Sequence, residues 1–344
     1  MRDRVVWIDG MKGLGILLVM LSHFCHVPSL LIAGYMPLFF FTSGITYKPS
    51  TSFRTVAEKK SKRLLIPWFF YGSFIFATDI LYSIFAHKFS WILLTERLTG
   101  LVYMRSSFSW PYDFPTQGNL LSSNGPMWFL PTMFLVCMYM VFYEWCKRKW
   151  LFVVGLFALT VATYKIPIQF PWGLELALMG ILFLLAAIPI RKHIVLRKDS
   201  MGGAFLPLIC FVSLTLYALL GAYNGRVDMM FRDYGNHGYL SVLLFLVCGL
   251  FYSMVVMSFC IMAEKTKLIN ALAYLGKNSL RLLCIHFFIQ GYSIPVLWHI
   301  VPSSVEWSEL LTATVFIVEV VLINAILQKF IDKYQPHCSI LKWI

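Results

Sequence analysis

The chain has 344 residues, of which 59% are hydrophobic and 13% are charged, and its formal net charge is +13. Soluble domains are nearer half apolar and a quarter charged, so this composition excludes an ordinary soluble protein and indicates an integral membrane protein. The positive charge does not require a nucleic-acid partner, because basic residues collect in the short loops on one side of a membrane.

Apolar runs along the whole chain predict its architecture. A membrane-spanning helix needs about 20 apolar residues, and on this basis the sequence predicts an all-α, polytopic membrane helical bundle of about ten transmembrane helices. It is expected to form a single domain over residues 1–344, with no soluble domain left over. The predicted spans are 10–29, 31–47, 64–86, 127–146, 150–165, 172–190, 204–222, 239–262, 279–299 and 309–328.

The distribution of the 29 lysines and arginines predicts the orientation of these spans. With ten spans, most of them fall on the side that holds both termini. Cytoplasmic loops are enriched in lysine and arginine, so both termini are expected in the cytoplasm. The basic residues expected on the outer side are Lys88, Arg97, Arg105, Lys165, Arg226 and Arg232.

The first predicted span carries two ionisable side chains, Lys12 and His23, in the run GMKGLGILLVMLSHF. They are about three helical turns apart, so they share one face at a separation of about 16 Å. Ionisable groups are costly inside a membrane, which makes this polar track a candidate functional site. Lys12 could instead snorkel to the interface, where Asp9 is a candidate partner. His23 is either a general base for a hydroxyl nucleophile or a hydrogen-bonded packing histidine.

A basic run precedes the third predicted span. The segment EKKSKRLLIPW supplies Lys60, Lys62 and Arg63 on the expected cytoplasmic side. These residues are either ordinary positive-inside flanking or the phosphate-binding rim of a donor site.

The ninth predicted span repeats this combination of cations and an intramembrane histidine. Asn278 or Ser279 is the candidate N-cap, with Lys277 and Arg281 around the first turn. A helix N-terminus flanked by cations is typical of an anion-binding site. His286 lies about two turns further along, and it is either a second functional histidine or a satisfied core histidine.

Two residues expected on the outer side are candidates for binding an acceptor substrate. Trp128 lies in GPMWFLP, as part of an acceptor platform or of the aromatic belt at the membrane interface. Glu175 lies at an outer helix end, where a structural role is the alternative. The eight cysteines show neither CxxC nor Cys/His spacing, so the sequence predicts no disulfide framework and no metal site.

Five segments occur in the order that one family shows. They are WIDGMKGLGILLVMLSH, MPLFFFTSG, KRLLIPWFF, GPMWFLP and YLGKNSLRLLCIHFFI. From residue 4 to about residue 290 the chain thus resembles the acyltransferase 3 family of integral membrane acyltransferases, particularly its branch similar to fucose 4-O-acetylase. The arginine and histidine of the family's first helix map to Lys12 and His23. Lysine keeps the charge there but lacks the bidentate fork of arginine. The family's later histidine motif maps to His286.

This resemblance implies a ten-helix core, an acyl-CoA donor that enters from the cytoplasm, and transfer to a hydroxyl of an exported or lipid-linked glycan. We therefore expect an O-acetyltransferase in the cytoplasmic (inner) membrane of a bacterium, with acetyl-CoA as donor and no metal. His23 would deprotonate the acceptor hydroxyl or receive the acyl group, while Lys12 and His286 support charge or donor orientation. The expected donor-binding residues are Lys60, Lys62, Arg63, Lys277 and Arg281.

A proton-coupled transporter or flippase of a sugar-containing substrate is the alternative. Intramembrane lysine, histidine and glutamate residues also form proton relays. Glu319, central in the tenth predicted span, needs a partner or a proton in either case. Transporters often contain paired repeats with broken helices, and the sequence shows no such repeat.

Overall fold

A computed structural model describes residues 5–23, 29–105, 125–193, 204–300, 308–336, 338 and 341. Within these ranges the chain forms a helical bundle, and the only strand-like pairing is an isolated bridge between Asp228 and Asp233. The α-helices are α1 (Val6–Ser22), α2 (Ser29–Ile32), α3 (Tyr35–Ile45), α4 (Phe53–Lys60), α5 (Ile66–Phe85), α6 (Trp91–Tyr103), α7 (Phe129–Trp145), α8 (Lys149–Tyr164), α9 (Leu174–His193), α10 (Phe205–Asn224), α11 (Leu240–Met262), α12 (Lys267–Lys277), α13 (Ser279–Ile300) and α14 (Ser308–Tyr334).

Several helices have the length and composition of membrane spans, which confirms the predicted all-helical architecture. Two shorter apolar helices, Tyr35–Ile45 and Lys149–Thr163, accompany them. The expected number of about ten spans and the cytoplasmic position of the termini stay predictions. Within the described ranges, the six helical segments long and apolar enough to cross a membrane are Phe53–Phe85, Gly125–Trp145, Pro171–Lys192, Phe205–Asn224, Leu240–Met262 and Ser308–Tyr334.

The first two predicted spans differ from the observed helices. The expected helix over 10–29 is α1, which ends at Ser22 with His23 as its C-cap. The expected helix over 31–47 is divided into α2 and α3 by a turn. Gly34 lies in this turn against the ring of Tyr252, where any side chain would overlap the ring. Residues 24–28 lie outside the described part of the chain.

The third predicted span begins earlier than expected. Helix α4, a π-helical turn at Ser61–Leu65 and α5 follow one another without a break. A π-turn shifts the helix register, and such turns are frequent at functional sites. This one falls within the basic run SKRLL.

Helix α12 is an element that the sequence analysis did not predict. It packs along α1 with direct contact between the two backbones. A Cβ added at Gly13 would overlap the carbonyl oxygen of Leu272, and one added at Gly276 would overlap that of Asp9. Asn278 is the C-cap of α12, and its side-chain amide donates to the carbonyl of Tyr274. It is therefore not the side-chain N-cap expected for α13.

Several basic residues, among them Arg191 and Lys149, lie at one end of the bundle, which we call the basic end. Arg191 donates to the carbonyl of Tyr47, and the hydroxyl of Tyr47 donates to Glu144. Lys149 pairs with the same carboxylate at 2.9 Å.

The stretch between the third and fourth predicted spans, residues 87–126, contains α6. Residues 106–124 of this stretch lie outside the described ranges.

Candidate functional site

A cavity of about 500 Å³ opens at the basic end and is called the basic cavity below. None of the described residues that line it is acidic. Besides its cations it has several hydroxyl groups and an apolar part, to which α7 and α13 contribute most. A site of this composition can accommodate a polyanion with an apolar arm. The basic residues that line the cavity are Lys12, Lys48, Lys59, Lys60 and Arg63.

The structure places the five predicted donor-binding cations in different surroundings. Lys60 and Arg63 line the basic cavity. Lys62 and Lys277 are exposed and do not contribute to its lining. Arg281 donates to Gln328 of α14 at 2.7 Å, so its guanidinium is directed to a neighbouring helix. Lys48 and Lys59 are cavity residues that the sequence analysis did not select.

Lys12 lies on α1 at the basic cavity. Its ammonium is 3.3 Å from the carboxylate of Asp9, which confirms the expected ion pair. The backbone contact between α1 and α12 holds this part of α1 in place. Lys12 and His23 therefore lie on one helix as predicted, but they face different cavities.

A second cavity of about 290 Å³ contains His23 and is called the histidine cavity below. His23 caps α1, and its ring lies 5.5 Å from the ring of His286, measured between centroids. The ring of Phe287 is 5.3 Å away on another side. The structure thus brings together the two intramembrane histidines that the sequence analysis singled out.

His286 is fully buried behind His23. Its Nδ1 is 3.0 Å from the carbonyl of Leu282, one turn earlier on α13. A carbonyl can only accept, so Nδ1 carries the proton and Nε2 presents a lone pair. Among the described residues, this Nε2 has no hydrogen-bond partner. A buried imidazole with a free lone pair can accept a proton from a neighbouring group.

Gln290 joins α13 to the end of α1. Its amide donates to the backbone carbonyl of His23 at 2.5 Å. It lies one turn after His286 on the same helix, so α13 contacts His23 through two consecutive turns. Sequence analysis missed this residue, because one amide in an apolar helix does not reveal its partner.

The rest of the histidine cavity combines aromatic and charged side chains. Trp128, the predicted acceptor platform, lies in its lining with Tyr35. Arg226 and Asp228 contribute charges from the loop between α10 and α11. Asp228 accepts from the backbone of Met230 at 2.9 Å, and burial raises the pKa of its carboxyl above the usual range. An aromatic face beside polar groups is suited to a sugar ring.

Glu175, the second predicted acceptor residue, does not belong to this lining. It is 1% exposed, and its carboxylate lies 3.1 Å from Arg105 and 3.9 Å from Arg232. Arg105 also donates to the carbonyl of Met230, so this ion cluster supports the cavity from behind. The two arginines give Glu175 a structural role in this cluster, and its expected contact with the substrate stays a prediction.

Glu319 has a simpler environment than the sequence suggested. The hydroxyl of Ser293 on α13 donates to its carboxylate at 2.8 Å. This bond joins α13 to α14 and supplies a polar partner for Glu319.

The two cavities approach each other closely inside the bundle. Among the described residues, Leu283 of α13 is the one that lines both. Trp128 and Phe129 are consecutive in the chain, yet the first lines the histidine cavity and the second the basic cavity. A group bound in one cavity would thus lie about one side chain away from a group in the other.

Comparison with known proteins identifies the family of the chain. A search of curated proteins finds no match. The family model Acyl_transf_3, described as an acyltransferase domain, matches residues 5–328. With its long apolar helices, this multi-pass membrane protein therefore belongs to the acyltransferase 3 family.

Proposed function

We propose that the protein transfers an acyl group, namely acetyl, from acyl-CoA to a hydroxyl of an extracytoplasmic or lipid-linked glycan. The observation that supports this most directly is the pair of cavities. One carries several cations and the other contains His23 beside His286, with Leu283 between them. Such an arrangement lets a donor and an acceptor approach from opposite ends of the bundle.

The basic cavity fits the chemistry of an acyl-CoA donor. Lys48, Lys59, Lys60 and Arg63 would bind its phosphates, because lysine and arginine pair well with phosphate oxygens. The apolar part of the cavity extends to Leu283 and would accept the thioester arm. The excess of basic residues at this end supports a cytoplasmic position for it. Donor binding by Lys62, Lys277 and Arg281 stays a prediction, because these residues do not line the basic cavity.

The histidine cavity fits a sugar acceptor. Trp128 offers an aromatic face, and Asp228 offers a carboxylate that can accept from hydroxyl groups. Arg226 adds a hydrogen-bond donor at an exposed position. We infer that the acceptor hydroxyl approaches His23 through this cavity, on the side away from the cytoplasm.

The proposed chemistry needs one proton acceptor near the hydroxyl. In direct transfer, His23 takes the hydroxyl proton, the oxygen attacks the thioester carbon, and the carbon–sulfur bond breaks. The departing thiolate then gains a proton. In a two-step route, the His23 imidazole first takes the acyl group and the hydroxyl attacks afterwards. In both routes the lone pair on His286 can hold a proton beside His23.

A proton-coupled transporter or flippase is the alternative that the experiments must separate. The two activities differ in their need for a donor. Acetyl-CoA-dependent labelling of glycan by the purified protein would support the transferase. Movement of a sugar substrate between vesicle compartments without acyl-CoA would support transport instead.

Replacement of His23 tests the central assignment. We expect His23→Ala to lower transfer of label from radiolabelled acetyl-CoA to glycan by about 100- to 10,000-fold, the range typical of a general acid or base. The assay uses vesicles of native membrane that contain the full chain. His237→Ala is the matched control, because His237 stacks on Tyr223 away from both cavities. Parental labelling by a folded His23→Ala protein would refute this role.

A further inference from the structure

The boundary between the two cavities is thin along three separate elements. On α3, Met36 lines the histidine cavity and Phe39, one turn later, lines the basic cavity. At the start of α7 the change occurs between Trp128 and Phe129. On α13 a single residue, Leu283, lines both cavities. The barrier between donor and acceptor therefore consists of about one layer of side chains.

Leu283 is the point where this layer is thinnest. Its side chain is 5% exposed and contributes to both linings. It lies one turn before His286 on α13 and carries no polar group that could bind water. A shortened side chain here would connect the cavities, since a passage for water requires only about 10–15 Å³.

We propose that Leu283 couples consumption of acyl-CoA to acylation of the acceptor by excluding water from the thioester. This inference rests on the proposed function. The side chain moves aside for the acyl group and otherwise closes the passage from the histidine cavity. When water enters instead, its oxygen attacks the thioester carbon and the carbon–sulfur bond breaks. The products are the carboxylic acid and the free thiol of CoA.

Leu283→Ala tests this role in a reaction that needs no identified acceptor. The full-length protein is reconstituted in vesicles and given acetyl-CoA alone, and the release of free thiol is measured. We expect the rate of hydrolysis to rise about tenfold, which corresponds to about 1.4 kcal/mol in the barrier. Truncation removes the terminal methyl groups that close the passage.

Ile285→Ala is the matched control for general loosening of the helix. Ile285 lies on α13, is 5% exposed like Leu283, and lines neither cavity. It loses a similar volume, so we expect a similar loss of stability without faster thiol release. An equal rise of hydrolysis in both variants would overturn the assignment to Leu283.

Leu283→Phe provides the opposite change at the same position. A larger side chain should obstruct passage of the acyl group, so labelling of glycan should fall at least tenfold. Calorimetry should still detect binding of CoA, because the cations that line the basic cavity are unchanged. Parental rates of hydrolysis in Leu283→Ala, or of labelling in Leu283→Phe, would overturn the inference. If the parental protein itself fails to label glycan from acetyl-CoA, the proposed function fails first and Leu283 loses its role with it.

Discussion

Gln290 shows how a single side chain can set the position of the candidate base. Its amide holds the carbonyl of His23 at the end of α1, where the helix no longer supplies a partner of its own. His286 contacts the His23 ring from the preceding turn of α13. The position of His23 thus depends on α13 as much as on the helix that carries it.

Gln290→Leu should therefore lower turnover without weakening donor binding. Loss of the hydrogen bond leaves a partly buried carbonyl without this partner, at a cost of about 1–3 kcal/mol, and lets the His23 ring shift. We expect kcat for glycan labelling to fall about tenfold, with an unchanged KM for acetyl-CoA. Steady-state kinetics of the purified protein checks both values.

Ser293→Ala is the appropriate comparison for this variant. It removes a hydrogen bond from the same helix, but one that goes to Glu319 and not to His23. If both substitutions lower kcat equally, Gln290 acts on the stability of α13 in general and does not position His23.

At the scale of elements, the contact between α1 and α12 fixes the part of α1 that borders the basic cavity. Gly13 and Gly276 let the two backbones touch, and Lys12 lies next to Gly13 on α1. A side chain at either glycine would force the helices apart. The glycines of the first helix are thus explained by packing, and the cation beside them by the basic cavity.

Gly13→Ala should destabilise the protein strongly for so small a change. The added methyl would overlap the carbonyl oxygen of Leu272, which belongs to the backbone and cannot rotate away. We expect a loss of about 1–3 kcal/mol or more, seen as a lower unfolding temperature in detergent.

Gly155→Ala in α8 separates packing from helix propensity. Among the described residues, apart from the adjoining backbone of α8, no atom lies within 4 Å of a Cβ at Gly155, so the same substitution should be neutral or stabilise by about 0.5–1 kcal/mol. Equal unfolding temperatures for the two variants would contradict a backbone contact at Gly13.

At the scale of the whole molecule, one ion cluster joins distant parts of the chain. Arg105 follows α6, Glu175 begins α9, and Arg232 lies in the loop between α10 and α11. Arg232 also donates to the carbonyl of Thr163 in the last turn of α8 and to those of Ile166 and Ile168 after it. These contacts close the bundle at the end opposite the basic cavity.

Glu175→Gln should unfold the protein more readily, because it leaves two buried guanidinium groups without a counter-charge. Removing one member of a buried ion pair typically costs about 3–5 kcal/mol. The unfolding temperature should fall accordingly, while the folded fraction should keep its KM for the acceptor. A raised KM with unchanged stability would instead support the predicted contact of Glu175 with the substrate.

Glu58→Gln breaks a different pair, between Arg54 and Glu58, whose side chains are 90% and 58% exposed. Exposed pairs contribute little to stability, so this control should leave the unfolding temperature unchanged. A large effect there would mean that unfolding in detergent does not report on burial.

The architecture and the two histidines could be predicted from the sequence, because hydropathy and the cost of a buried imidazole are properties of each residue alone. Glu175 could not be assigned, since its partners Arg105 and Arg232 lie far from it in the chain. Helix α12 could not be predicted from apolar runs, because its 11 residues are too few to span a membrane. Leu283 gave no signal, as one leucine in an apolar helix resembles every other.

Under the proposed function, the pairing of His23 with His286 would also affect the electrical balance of the membrane. If an acyl group leaves the cytoplasm and its thiolate stays behind, the hydroxyl on the far side must give up a proton. Should that proton not return, every turnover would separate one charge against the membrane voltage, at about 2.3 kcal/mol for each ~100 mV. Two adjoining imidazoles offer the proton a route back to the thiolate. Each turnover then moves no net charge across the membrane, and its free energy does not depend on the membrane voltage.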